Sequence, residues 1–144
     1  MADPQTVRAV VARAGFTVED FVDPEHRPDP MTVWRPFIRS GAVPVVRVPD
    51  HEPHPNRHLD REWLRVSREN GTIAADGTVL LSVEGAGRLP WLRARVGTTP
   101  PHASRLGLPG QSIGFVALAP DGRAATSVST EEWETWILAA EIQP

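Results

Sequence analysis

The stretch Ile113-Gly114-Phe115-Val116-Ala117-Leu118-Ala119-Pro120-Asp121-Gly122-Arg123-Ala124-Ala125-Thr126-Ser127-Val128 decides the fold. Proline presets its own φ and glycine takes a positive φ without steric cost, so Pro120-Asp121-Gly122 reads as a tight turn. Apolar and β-branched runs flank it, Ile113–Ala119 and Ala124–Val128, and the turn joins them as a hairpin. Thr78–Val83 and Leu89–Val96 have the same strand character, and Asp76-Gly77 is a shorter form of the turn. The two Asp-Gly neighbourhoods match at a constant offset, with Ala74, Asp76, Gly77, Ser82 and Val83 answering Ala119, Asp121, Gly122, Ser127 and Val128. Shared hairpin chemistry accounts for that likeness more simply than a duplicated unit. Thr32–Ile38 and Ala42–Val48 also read as extended, but Pro36 and Pro44 interrupt them. Proline has no N–H to give a ladder, so these belong at sheet edges or in irregular chain.

Three segments have helical periodicity. Val7, Val10, Val11 and Ala14 form one stripe over Pro4–Ala14, with Asp3 as N-cap, Pro4 in the first turn and Gly15 as the stop. Over Leu59–Glu69, Leu59, Trp63 and Val66 share a face, Arg61, Arg65 and Arg68 occupy another, and Asn70-Gly71 ends the segment. Over Thr130–Glu141, Ser129 with Glu132 fits a capping box, and Trp133, Trp136, Ile137 and Ala140 repeat the stripe. Hairpin strands with helices near the N-terminus, in the middle and at the C-terminus predict a single α+β domain over residues 1–144. Its sheet is mostly antiparallel, of about four to six strands.

The 144 residues include no cysteine and carry a formal charge of −3. Disulfides, thiolate nucleophiles, Cys-ligated zinc and iron–sulfur clusters are therefore excluded. The acidic balance argues against a general nucleic-acid binder, which needs a basic face. Charge is nevertheless uneven. Arg88, Arg93, Arg95, Arg105 and Arg123 face only Asp121 between residues 86 and 130, while the last fourteen residues carry four glutamates and no base. All 15 basic residues are arginine, and tyrosine is absent as well. Lysine and tyrosine codons are AT-rich, so the composition points to a GC-rich bacterial genome and weakens any reading of arginine as phosphate recognition. The segment Met1-Ala2-Asp3-Pro4-Gln5 has neither the basic stretch nor the apolar run of a signal peptide, and the apolar runs are too short to span a bilayer. A cytoplasmic location is expected.

Three features could carry chemistry. Gly110-Gln111-Ser112-Ile113-Gly114 matches the G-x-S-x-G elbow, but that motif needs a strand before the serine, a helix after it and a later histidine. Here a Gly/Pro-rich loop precedes, a strand follows, and the last histidine is His102, so the glycines are read as permitting entry into a strand. His51, His54 and His58, interspersed with Asp50, Glu52 and Asp60, offer nitrogen and oxygen ligands for a divalent metal. Pro53 and Pro55 break any helical template across them, and a solvated loop is the plainer account. Of the five tryptophans, Trp63, Trp133 and Trp136 lie on helical stripes and are assigned to the core. Trp34 and Trp91 stand beside Arg35 and Arg93, a pairing that interface hot spots favour.

No convergent catalytic set emerges. The leading expectation is a small binding or interaction module of the immunity, accessory or regulatory kind. Its partner would be another protein, contacted through Trp34, Trp91 and Arg105, with no nucleic acid, membrane or cofactor involved. A homodimer through the C-terminal tryptophan helix is the homotypic version. The alternative is a small enzyme or ligand-binding domain whose polar pocket is closed by the long segment Gly97–Gln111. There His102, Ser104 and Arg105 would do the polar work opposite His51, His54 and His58, which could hold a metal.

Overall fold

The computed structural model describes residues 2–39 and 41–143; Met1, Ser40 and Pro144 lie outside the described residues. The elements in chain order are α1 (Pro4–Arg13), β1 (Thr17–Phe21), α2 (Pro30–Ile38), β2 (Val46–Pro49), α3 (Pro55–Glu69), β3 (Thr78–Val83) and β4 (Leu92–Arg95). A 3-10 turn, η1 (Ala103–Arg105), and the strands β5 (Gly114–Leu118), β6 (Ala124–Thr130) and β7 (Glu134–Glu141) complete it. All strands join one 7-stranded sheet in the order β1-β4-β3-β5-β6-β7-β2, with every neighbour antiparallel. The α+β architecture with an antiparallel sheet is as expected; the strand count is higher, and two helix positions differ.

The turn at Pro120-Asp121-Gly122 does join β5 to β6. Gly122 sits at φ +77°, its N–H donates to the Ala119 carbonyl at 2.8 Å, and the Asp121 carboxylate accepts from the Arg123 N–H at 3.0 Å. Asp76-Gly77 repeats this chemistry at the entry to β3, where the Asp76 carboxylate accepts from the Thr78 N–H at 3.0 Å. That bond is the first cause of the depressed Asp76 pKa. Gly77 lies at φ +89°, and a Cβ there would stand 2.3 Å from the Val96 carbonyl oxygen. Gly77→Ala is therefore expected to cost roughly 2–3 kcal/mol. Gly71→Ala, at φ +84° with nothing within 4 Å, meets the backbone penalty alone, about 1 kcal/mol. Urea denaturation of the two variants checks the difference.

The sheet is covered on both faces. α1 and α3 lay Val11, Leu59 and Trp63 against Leu81, Phe115 and Ile137 on one side. α2 lays Val33 and Phe37 against Leu80, Val116 and Leu118 on the other. Double coverage explains why β3 and β5 are buried at every position and read as continuous apolar runs without alternation.

Two expected elements are replaced. Thr130–Glu141 is a β-hairpin arm, not a helix: β7 pairs with β6 from Ala124↔Glu141 to Thr130↔Thr135 and with β2 on its other edge. Because both faces are buried, Ile137 and Leu138 pack on opposite sides, and the same apolar positions satisfy a period of two as well as 3.6. Ser129 does not cap; its hydroxyl bonds the Glu131 carboxylate, and the Glu131 N–H closes the turn on the Glu134 carbonyl at 2.8 Å. Trp133, assigned to the core, is 74% exposed at that turn, and the expected C-terminal tryptophan helix is the strand β7. Thr32–Ile38 is the second replacement, being helical within α2. Asp29-Pro30 starts α2 as Asp3-Pro4 starts α1, and the Thr32 hydroxyl bonds the Asp29 carboxylate. Pro36 is tolerated inside, and the helix stops two residues later. The expected extended run Ala42–Val48 is strand only from Val46, past Pro44, and that strand, β2, lies at an edge, while β1 at the other edge is an additional strand.

Candidate functional site

α3 is the element that brings chemistry together. Pro55 sits in its first turn; Leu59, Trp63, Val66 and Ser67 are buried against the sheet, and Leu64 is buried as well. At 100° per residue, Arg57, Arg61, Leu64 and Arg68 then share the outward side. Arg65 lies at the margin of that side, where Glu62 holds it at 2.7 Å and Glu69 at 3.0 Å. The same contact, first through the Arg65 side-chain hydrogen bond, holds the Glu62 carboxyl below its ordinary value. Arg57, Arg61 and Arg68 have no ion-pair partner among the described residues. They extend along about 16 Å of helix.

The segment Pro100-Pro101-His102 runs beside this face and makes it a groove of about 600 Å³, with the exposed Pro100 at its rim and the buried Leu64 and Pro101 at its floor. Asp60 fixes that wall. One carboxylate oxygen accepts from the Ser104 N–H at 2.7 Å, and the other meets the His102 Nδ1 at 3.0 Å. From the far side the His102 N–H donates to the Ala14 carbonyl at 2.6 Å. Ala103 and Leu106 are wholly buried between α1 and α3. Residues 101–108 are therefore packed into the fold through Pro101, Ala103, Leu106 and Leu108, while residues 97–100 and 109–111 are exposed. Asp60→Ala strands the Ser104 N–H and is expected to cost about 1–3 kcal/mol. Asp60→Asn keeps an acceptor and should cost less. Urea denaturation, with hydrogen exchange at Ser104, checks both.

The residues named from sequence do not form one surface. Trp34 lies on α2, its indole N–H donating to the Ser82 hydroxyl at 2.9 Å. Trp91 is 0% exposed in the core beneath α2, its indole N–H donating to the Pro28 carbonyl at 2.9 Å, so it presents nothing to a partner. Arg105 is exposed on η1, across the sheet from Trp34. His102 lines the groove, whereas His51, His54 and His58 do not. His58 Nδ1 faces the Glu52 carboxylate at 2.5 Å, His54 begins α3 in a left-handed conformation, and His51 is exposed in the preceding turn. Among the described residues no group of three or more His, Cys, Asp or Glu side chains is placed to hold a metal ion. Ser112 is exposed in the loop that leads into β5, with no bond to a histidine among the described residues.

Sequence reasoning offered Asp60 only as a metal ligand and missed Arg57 and Leu64 as site residues. The signal was the spacing of Arg57, Arg61 and Arg68, hidden by the chain's uniform use of arginine. Asp60 could not be paired with His102 before the fold was known. Among the described residues no helix is long and apolar enough to cross a membrane. No protein-family model matches the chain, and neither the curated proteins nor the solved structures yield a match to it.

Proposed function

We propose that the chain is a small cytoplasmic bacterial binding module whose α3 groove takes an acidic segment of another protein. The observation that supports this is the row of arginines without an ion-pair partner among the described residues, Arg57, Arg61 and Arg68, bordering a groove with Pro100 at its rim and Leu64 and Pro101 at its floor. Arginine clusters recognise carboxylates through forked hydrogen bonds, and the apolar groove beside them rewards a partner whose acids are interrupted by aliphatic side chains. The net charge of −3 confines the attraction to this face, which favours a protein segment over a nucleic acid needing a broad basic surface. An immunity, accessory or regulatory role fits such a module.

Fluorescence anisotropy tests the proposal with a short synthetic peptide of glutamates interrupted by leucine, its lysine counterpart, and a DNA duplex. The acidic peptide should bind and weaken as ionic strength rises, and the lysine peptide should not bind. Tighter binding of DNA than of the acidic peptide would refute the reading.

The Asp60–His102 pair is the one observation that favours the small-enzyme alternative, since a carboxylate orienting an imidazole is half of a general-base device. Under that reading His102→Ala abolishes turnover of a bound substrate. Under the binding reading it leaves the salt-dependent affinity for the acidic peptide nearly unchanged.

A further inference from the structure

The other face of the sheet holds a second recess, built by the strand register. α2 covers the rows through Leu80, Val116 and Leu118, but it ends at Ile38. The next row, running from Glu84 through Gly114 and Ser129 to Trp136, is left uncovered: the Glu84 N–H donates to the Gly114 carbonyl at 2.9 Å, Gly114 pairs with Ser129, and Ser129 with Trp136. The result is a cavity of about 400 Å³, walled by Trp34 and Phe37, with Trp136 and Ser127 beneath and Glu84 and Glu131 at its rim.

Several features make this a prepared site. A Cβ at Gly114 would lie 2.3 Å from Glu84 Oε2, so the glycine is what lets that carboxylate rest across β5. The bond to Ser82 fixes the Trp34 indole, and the Ser129 hydroxyl holds the Glu131 carboxylate. Ser127 is only 2% exposed and lines the cavity, so its hydroxyl is the polar group at the floor. Arg39 is the single cation of the described lining, against two carboxylates. At the same sheet edge the chain already seats a cation on one of these rings: the Arg47 guanidinium stands 5.0 Å from the Trp136 centroid while pairing with Glu134 at 3.3 Å.

We infer that this recess binds an organic cation, a guanidinium or primary ammonium group carried on a short alkyl chain. Trp34, Phe37 and Trp136 supply the π faces that attract such a cation, and desolvation between them strengthens the attraction. Glu84 and Glu131 neutralise its charge with charge-assisted hydrogen bonds, and the Ser127 hydroxyl accepts one of its protons. The group could arrive on a free small amine or on a basic side chain of another protein; the chemistry is shared. The site is separate from the α3 groove and of opposite charge preference, so either can fail without the other.

The test is an NMR titration of the full chain, 15N-labelled, with agmatine, with N-acetylarginine methylamide, and with the neutral isostere N-acetylcitrulline methylamide. Both cations should shift the indole N–H signals of Trp34 and Trp136, and the citrulline compound should not. Glu84→Gln and Glu131→Gln should each weaken the binding about tenfold, the loss of one charge-assisted bond. Gly114→Ala should abolish it by displacing Glu84; should that variant misfold, the exposed Glu84→Gln still carries the test. Tighter agmatine marks a free amine as the ligand, and tighter N-acetylarginine methylamide marks a partner's side chain. No indole shift, an equal shift with the citrulline compound, or cation binding indifferent to both glutamine variants would overturn the proposal.

Discussion

Reversing Arg57, Arg61 and Arg68 together to glutamate is expected to cost about a hundredfold in affinity for an acidic, leucine-interrupted peptide. Each exposed ion pair is worth up to about 1 kcal/mol, and three of them along one groove sum to roughly two decades. Folding should be untouched. All three side chains are exposed and unpaired among the described residues, so the variant should unfold within about 0.5 kcal/mol per substitution of the parent. Arg65 serves as the internal control. Its guanidinium is already held by Glu62 and Glu69, so Arg65→Ala should change affinity far less than Arg61→Ala. Anisotropy titrations at two ionic strengths, with urea denaturation alongside, measure both halves of this prediction.

Trp63→Ala carries the largest expected effect on stability, about 3–5 kcal/mol. Trp63 is fully buried on α3, its ring meeting Phe16 and Phe115 edge-on at centroid distances of 6.0 and 5.5 Å. Its indole N–H donates to the Thr126 hydroxyl at 3.1 Å, and that hydroxyl also bonds the Ser67 hydroxyl at 2.9 Å. Truncation leaves a cavity between helix and sheet and deprives a buried polar pair of its third member. A loss of that size is a large share of the roughly 5–15 kcal/mol by which a domain is stable. Trp133→Ala, at the exposed turn before β7, should stay within about 0.5 kcal/mol of the parent. Equal losses from the two variants would mean that the burial of Trp63 does not anchor α3.

The contrast between those two tryptophans shows where sequence was legible. α1 and the body of α3 could be read because each has one buried face and a stop at Gly15 or Asn70-Gly71, and Pro4 marked the start of α1; Pro55, read as a breaker, instead opens α3 ahead of the expected Leu59. The β5–β6 hairpin could be read because Pro120-Asp121-Gly122 names its own turn. β7 could not, because a strand buried on both faces has no alternation to distinguish it from a helix stripe, and its partners β6 and β2 decide the matter through long-range pairing. α2 was obscured by Pro36, although Asp29-Pro30 repeats the opening signal of α1. β1, half-exposed at a sheet edge, carries too weak a pattern to stand out. The candidate site was legible only in part. His102 and Ser104 were singled out, but their partner Asp60 lies far off in the chain, and only the packing of residues 101–108 against α3 brings them together.

The most direct measurement is a 1H–15N titration of the full chain with the acidic, leucine-interrupted peptide, following every backbone amide. The account predicts saturable shifts confined to the outward side of α3 and to residues 102–105, weakened by salt and absent in the Arg57/Arg61/Arg68 reversal. Shifts that map instead to α2 and the opposite face of the sheet, or that survive the reversal, would contradict it.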